Sequence, residues 1–199
     1  MTTSQKDDIG TRRFPELTRE AMTPAQAQMA DAVLGGPRGR LVGPFNAWLR
    51  SPDLGNRLQK VGEYIRFSSS LPARLNELAI LIVARSWTSQ FEWWAHHRFA
   101  LEAGLDPQVA ADIAAGRRPT TMQADEAILY DFATELRRDR RVGEATYEAM
   151  RRQFGEQAIV DVIAAMGYYD IVSMTLNVAE VAVPAGEREP LQPLDRAYP

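Results

Sequence analysis

The sequence contains no cysteine, only two histidines and only two lysines among its 199 residues. Without cysteine, the chain has no disulfide, no thiolate nucleophile, no CxxC redox pair and no cysteine-ligated zinc site. The two lysines, Lys6 and Lys60, provide poorly for a mechanism through a lysine Schiff base. The sequence also has no P-loop and no GxGxxG motif, so nothing in it predicts nucleotide binding.

Charge and hydrophobicity narrow the class of protein further. The 23 basic and 26 acidic side chains give a net charge of −3, whereas nucleic-acid binding domains are usually basic. The longest uninterrupted apolar run, Leu78 to Ala84, is far shorter than the roughly 20 residues of a membrane span. The first ten residues lack the apolar core of a signal peptide. We therefore expect a cytoplasmic protein of one domain, with no nucleic-acid or membrane partner.

Helix start and stop signals recur along the chain, whereas no window shows the alternation typical of a strand. We predict an all-α domain over residues 21–185, preceded by a polar extension over residues 1–20. A tail over residues 186–199 follows, too rich in proline and charge to be a packed element. The predicted helices begin near Thr23, Phe45, Pro52, Pro72, Ser89, Asp106, Met122, Gly143 and Glu156. The last is long, and we expect it to bend at Gly167 and to end at Val183.

The densest chemistry lies between Leu71 and Ala103. Glu92 and His96 are four residues apart, so they share one face of a helix that otherwise carries apolar side chains. Glu77, on the preceding helix, shares its face with apolar residues as well. Burial raises the pKa of a carboxyl group and a nearby imidazolium lowers it, so such a group can exchange protons near neutral pH. This pattern indicates general acid–base chemistry.

Each of these residues also has a purely structural interpretation. Ser89-x-x-Glu92 fits a capping box, in which Glu92 turns back to the start of its own helix. His96 fits a buried histidine whose hydrogen bonds Glu92 satisfies. Glu77 fits a salt bridge with Arg74 or Arg85. A divalent metal held by two carboxylates and an imidazole is a further alternative, but the sequence has no second Glu-x-x-x-His pair.

The residues from Asn76 to Arg98, NELAILIVARSWTSQFEWWAHHR, and the ALEAGLDPQVAADIAAG that follows resemble the carboxymuconolactone decarboxylase family. This family includes the AhpD-like alkylhydroperoxidases, whose motif runs Glu, eleven residues, Cys, two residues, Cys, three residues, His. In that alignment Glu77 takes the glutamate, Ser89 and Glu92 take the two cysteines, and His96 takes the histidine. A disulfide-cycling peroxidase cannot operate on serine and glutamate, so thiol peroxidase activity is not expected.

The resemblance implies an AhpD-like helical bundle, assembled as a homo-oligomer (a trimer or a hexamer) with sites near the subunit interfaces. It implies a cofactor-independent, metal-free lyase or isomerase that acts on a small anionic cyclic metabolite of aromatic catabolism. His96 is then the proton donor, Glu92 orients it, and Glu77 is a second acid–base group. The expected substrate-binding residues are Arg85, Ser89, Tyr168 and Asn177, the last two in a segment that resembles the family's C-terminal helix.

Two other functions stay open from the sequence. The serine and glutamate at the thiol positions are compatible with a non-catalytic member of the fold that only binds a ligand. A metal-dependent oxygenase or hydrolase that uses Glu77, Glu92 and His96 is the other alternative. Bound metal in the purified protein would indicate the metal-dependent enzyme. Ligand binding without chemical conversion would indicate the non-catalytic member of the fold.

Overall fold

The computed structural model describes residues 13–194 and residue 198, and these are helical with no β-strand. The all-α prediction is therefore confirmed. A short 3₁₀ turn, Arg19–Ala21, precedes eight helices in the described part of the chain. They are α1 (Pro24–Leu34), α2 (Phe45–Trp48), α3 (Pro52–Phe67), α4 (Ala73–Ser86), α5 (Gln90–Glu102), α6 (Pro107–Ala114), α7 (Ala124–Asp139) and α8 (Glu144–Ala179).

Helix α4 is the centre of the hydrophobic core. All seven residues from Leu78 to Ala84 are fully buried, as expected for a helix that is apolar on every side. Helices α5, α6, α7 and α8 pack around α4, and α3 bridges this group to α1 and α2. The antiparallel arrangement of α4 and α5 is what brings the candidate site residues together.

Helix α8 is interrupted at Gly155, where the backbone takes φ 81° and ψ 172°. Glycine reaches this conformation without steric cost, so the predicted helix boundary at this position is confirmed. The predicted bend at Gly167 is wrong, because the backbone is helical there. The helix also ends at Ala179 rather than Val183, since Glu180 turns into the left-handed conformation with φ 54°.

The two faces of α8 differ in their surroundings. One face is buried among the core helices. By length and composition alone helix α8 could cross a membrane, but 56% of its most apolar stretch is buried inside the protein. The opposite face carries exposed apolar side chains at a spacing of three or four residues. We call this face the α8 stripe; it consists of Val160, Ile163, Ile171, Met174 and Val178, with Gly167 among them.

The segment after α8 has no regular secondary structure but is packed against the helices. Leu191 and Tyr198 are buried. The side-chain amide of Gln90 accepts from the N–H of Leu191 and donates to its carbonyl, at 2.9 and 2.8 Å. The expectation that this tail is not a packed element is therefore wrong at Leu191 and Tyr198, while residues 186–190 are exposed. Paired amide hydrogen bonds and a buried leucine outweigh its proline and charge content.

The predicted N-terminal extension lies partly outside the described residues, which begin at residue 13. Phe14 and Leu17 pack against the core. Asn46 fixes this segment, because its side chain donates to the carbonyl of Phe14 and accepts from the N–H of Leu17.

Candidate active site

The turn between α4 and α5 sets the geometry of the site. Thr88 takes a left-handed conformation with φ 47°, and the N–H of Ser89 bonds to the carbonyl of Ala84, which ends α4. Helix α5 then runs back along α4. Glu77, in the first half of α4, therefore faces His96, at the middle of α5.

His96 lies between two carboxylates, one on each side of its ring. Its Nδ1 is 2.6 Å from Oε2 of Glu77, and its Nε2 is 3.1 Å from Oε1 of Glu92. All three residues are buried. We call them the Glu77–His96–Glu92 triad; the structure brings together the three residues that the sequence analysis selects as catalytic.

The two carboxylates keep the imidazole protonated. Burial by itself lowers the pKa of His96, but the charges and hydrogen bonds of Glu77 and Glu92 together outweigh burial and raise this pKa to about 9. At neutral pH the ring is therefore an imidazolium whose Nδ1 donates to Glu77 and whose Nε2 faces Glu92. The triad holds a buried proton between acceptors on two different helices.

The structure contradicts the two interpretations in which the glutamates only cap a helix or form a salt bridge with an arginine. Ser89 is the N-cap of α5, but its side chain makes no capping hydrogen bond, and Glu92 turns toward His96 instead. The capping-box interpretation is therefore wrong. Glu77 forms no salt bridge with Arg74 or Arg85, because Arg74 binds the carboxylates of Asp125 and Glu126 and Arg85 binds backbone carbonyls.

The triad opens into a cavity of about 710 Å³. His96 and Glu92 line this cavity, whereas Glu77 lies behind His96 and does not. The cavity wall is rich in arginine and aromatic side chains, and its other acidic residue is Glu187 of the C-terminal segment. The arginines are Arg38, Arg40, Arg66 and Arg98, and the aromatic residues are Phe45, Phe67, Phe91, Trp94, Phe99, Tyr168 and Tyr169.

Two adjacent tyrosines of α8 close the inner end of the cavity. The ring of Tyr169 meets the ring of His96 edge-on, with centroids 4.9 Å apart, and Tyr168 meets Tyr169 in the same way at 5.2 Å. Burial raises the pKa of Tyr168 to about 12, and Arg38 partly offsets this effect. Both hydroxyls therefore stay protonated at neutral pH, because burial raises the pKa of Tyr169 as well.

The structure places three of the four expected substrate-binding residues away from the cavity. Arg85 is buried and donates to the carbonyls of Ala114 and Gln192, both at 3.0 Å. Ser89 is also buried without lining the cavity. Asn177 donates to the carbonyl of Trp87 on the protein surface. Of the four, Tyr168 lines the cavity.

The sequence analysis missed the cavity arginines. Arg38 and Arg40 lie in the segment GGPRGR, which the sequence identifies only as a loop, and Arg66 stands at the end of α3. The sequence carries two signals for these arginines. Two of them lie in one glycine-rich loop, and Arg66 follows Gly62 by four residues on the same helix face.

The triad also contains the side chains that the sequence offers as metal ligands. Within the described residues no group of three or more metal-ligating side chains is arranged to hold an ion. Both ring nitrogens of His96 are occupied by carboxylates, so neither offers a free lone pair to a metal.

The fold defines the class of protein. An uncharacterized peroxidase-related protein from Ralstonia eutropha JMP134, described as an alkylhydroperoxidase AhpD core, superimposes with a TM-score of 0.71 at 18% identity, over 87% of this chain and 92% of that one. An uncharacterized peroxidase-related protein from Silicibacter sp. TM1040 gives 0.68 at 14% identity, over 94% and 96%. The chain thus has the AhpD-like fold that the sequence motif predicts.

The family follows from the sequence of the central helices. Residues 52–130, which include Glu77, Glu92 and His96, match the model of the carboxymuconolactone decarboxylase family. This match over the central helices confirms the predicted resemblance to the family. No curated protein matches the sequence.

Proposed function

We propose that the protein is a cofactor-independent lyase or isomerase that acts on a small anionic, unsaturated cyclic metabolite. The observation that carries this proposal is the Glu77–His96–Glu92 triad, a buried and protonated imidazole at the inner wall of an arginine-lined cavity. A proton held at this place is suited to transfer to a carbon atom of a bound ligand.

Decarboxylation is the reaction that we expect. As the carbon–carbon bond to the carboxylate breaks, carbon dioxide leaves and the bonding electron pair moves into the conjugated carbonyl system of the ring. The triad then delivers a proton to the resulting carbanionic carbon, and solvent restores that proton. Isomerisation instead removes a proton from one ring carbon and returns a proton to another, without loss of carbon dioxide.

The geometry suggests how the triad divides these tasks. Glu77 contacts Nδ1 from behind and fixes the plane of the ring, since it does not line the cavity. Nε2 and Glu92 both lie at the cavity wall, so the transferable proton lies between them. Glu77 is therefore the orienting residue, the role that the sequence analysis gives to Glu92.

Solvent isotope exchange tests this function on a panel of candidate substrates. Unsaturated lactone carboxylates are incubated with the protein in D₂O, and proton NMR follows deuterium incorporation and loss of carbon dioxide. We expect incorporation with wild type, its loss in His96→Gln, and its retention in Arg57→Gln, an exposed arginine of α3 outside this cavity. A ligand that binds but never exchanges or loses carbon dioxide favours the non-catalytic alternative.

We also propose that the α8 stripe binds a second copy of the chain. The residues of the stripe are arranged symmetrically about position 169. Residues 160 and 178, 163 and 174, and 167 and 171 lie at equal distances on either side of it, to within one residue. Two antiparallel copies of α8 therefore present the same stripe to each other around a twofold axis. Apart from the backbone of its own helix, no atom of the described residues lies within 4 Å of a Cβ at Gly167, so the helices can approach closely near that axis. Such a contact suits a hexamer with twofold axes, and does not occur in a trimer alone.

A further inference from the structure

The arginines of the described chain differ in what neutralises them. Six of them are at least half buried. Four bind carboxylates or backbone carbonyls, namely Arg50, Arg74, Arg85 and Arg137. The other two, Arg38 and Arg66, form neither kind of contact within the described residues, and both line the cavity. Partly desolvated cations without an anionic partner are costly unless a ligand supplies the anion.

Aromatic rings hold both guanidinium groups in place. Cζ of Arg38 lies 5.4 Å from the ring centroid of Phe45, and Cζ of Arg66 lies 5.0 Å from that of Phe99. Phe99 in turn meets the ring of His96 edge-on at 5.8 Å. Cation–π contacts fix the position of a guanidinium but leave its N–H groups available for hydrogen bonding.

One hydrogen-bonding edge of the Arg38 guanidinium lies inside the protein. Its Nε and Nη2 are buried and have no hydrogen-bond partner within the part of the chain that the structure describes. These two nitrogens form one edge of the guanidinium, which matches the two oxygens of a carboxylate. Gly62 makes the space for this arrangement, because a Cβ there would lie 2.5 Å from Nη2 of Arg38 and 2.1 Å from the hydroxyl oxygen of Tyr168.

Tyr168 connects the two arginines to the triad. Both Arg38 and Arg66 lie close enough to its hydroxyl to lower its pKa, against the larger effect of burial. Tyr169 separates Tyr168 from His96. A ligand whose anionic group reaches the arginines therefore needs the width of about one ring to place a carbon atom at the triad.

We propose that Arg38, Arg66 and the hydroxyl of Tyr168 form a carboxylate-binding subsite, which selects ligands that carry a carboxylate on a ring-sized unsaturated body. This subsite deepens the proposed function, on which it rests for the chemistry at the other end of the ligand. The carboxylate binds the free edge of Arg38 after that guanidinium turns its Nε and Nη2 away from Gly62 while its Cζ stays against the ring of Phe45. Arg66 supplies the second positive charge.

Calorimetric binding of benzoate and benzyl alcohol at constant ionic strength tests the subsite. The two probes have the same ring and differ in the carboxylate. We expect wild type to bind benzoate at least tenfold more tightly than benzyl alcohol, and Arg38→Gln and Arg66→Gln each to weaken benzoate binding at least tenfold. Arg57→Gln, which removes the same charge from α3 outside this cavity, is expected to change it less than twofold.

Equal affinity for the two probes, no benzoate binding at millimolar concentration, or an equal loss in Arg57→Gln would overturn the proposal. Circular dichroism checks that each variant is folded. If a glutamine variant is unfolded, the lysine variant replaces it; it keeps the charge but not the paired edge, so we expect an intermediate loss. The binding assay has no catalytic step, so it can be interpreted even if the proposed reaction is not found. Conversely, a failure to bind benzoate overturns the subsite but leaves the isotope-exchange test of the triad unaffected.

Discussion

His96 contacts Glu77 across two helices, with 2.6 Å between Nδ1 and Oε2. This contact joins the first half of α4 to the middle of α5, so it fixes both the pairing of these helices and the orientation of the imidazole. Because Glu92 occupies the other ring nitrogen, the ring cannot rotate without losing a carboxylate partner. The same arrangement that gives the site its chemistry therefore also contributes to the stability of the fold.

The protonation of His96 can be observed directly, because the chain has only two histidines. We expect the ring proton signals of His96 to titrate near pH 9 in an NMR titration. Burial lowers the pKa of His97, so its signals should titrate below pH 6.5. Glu92→Gln removes one of the two charges that stabilise the imidazolium, and should move the upper transition toward neutral pH. His97→Gln assigns the two sets, and two transitions that coincide near pH 6.5 would contradict the prediction.

Stability should fall as the pH rises through the same transition. The pKa of His96 is about 9 in the folded chain and has an ordinary value of 6.5. The folded state therefore binds the proton more tightly, and this contribution is complete below pH 6.5 and lost as the pH rises through about 9. It amounts to up to about 3 kcal/mol. Urea unfolding of wild type and His96→Gln at pH 6 and pH 9.5 measures it; an equal pH dependence in both proteins would contradict this origin.

Arg85 is expected to act on stability rather than on ligand binding. Its guanidinium joins the carbonyl of Ala114 at the end of α6 to that of Gln192 in the C-terminal segment. Arg85→Met leaves both carbonyls without this donor inside the protein and should lower the free energy of unfolding by about 2–4 kcal/mol. Thermal and urea unfolding measure the loss. Benzoate affinity of the folded variant should be unchanged, and a tenfold loss of affinity at normal stability would place Arg85 in the site instead.

The absence of cysteine makes the α8 contact accessible to crosslinking. Residues 167 and 171 of two antiparallel copies lie opposite each other, so Gly167→Cys/Ile171→Cys should give a disulfide-linked dimer on oxidation. In either single variant the two cysteines are displaced along the helices by about 6 Å, which follows from four residues of rise. We expect these single variants to crosslink much less on a non-reducing gel.

Sedimentation of wild type provides the second measurement for this contact. A monomer at all concentrations, together with an uncrosslinked double variant, would exclude the α8 stripe as a contact between copies. Crosslinking of a single variant as efficient as that of the double variant would indicate a different register.

The helices and the triad were predictable from sequence because their signals are local. The apolar run of α4 and the spacing of Glu92 and His96 depend on neighbours within a few turns. The capping box at Ser89 failed because its backbone N–H already bonds to the carbonyl of Ala84, so Glu92 meets the buried ring of His96 instead. Arg85 was misplaced because its partners, Ala114 and Gln192, are 29 and 107 residues away. No local pattern indicates whether an arginine meets a ligand or a distant carbonyl.

The packed C-terminal segment has a consequence for how the protein matures. Pro184 and Glu187 form part of the cavity wall. Gln90 forms hydrogen bonds with the backbone of Leu191, which is 101 residues away in the sequence. Domains fold from the N-terminus as they are synthesised, and contacts this distant in sequence form late. The helices can thus assemble before the segment after α8 docks on them, and the cavity acquires its last wall afterwards.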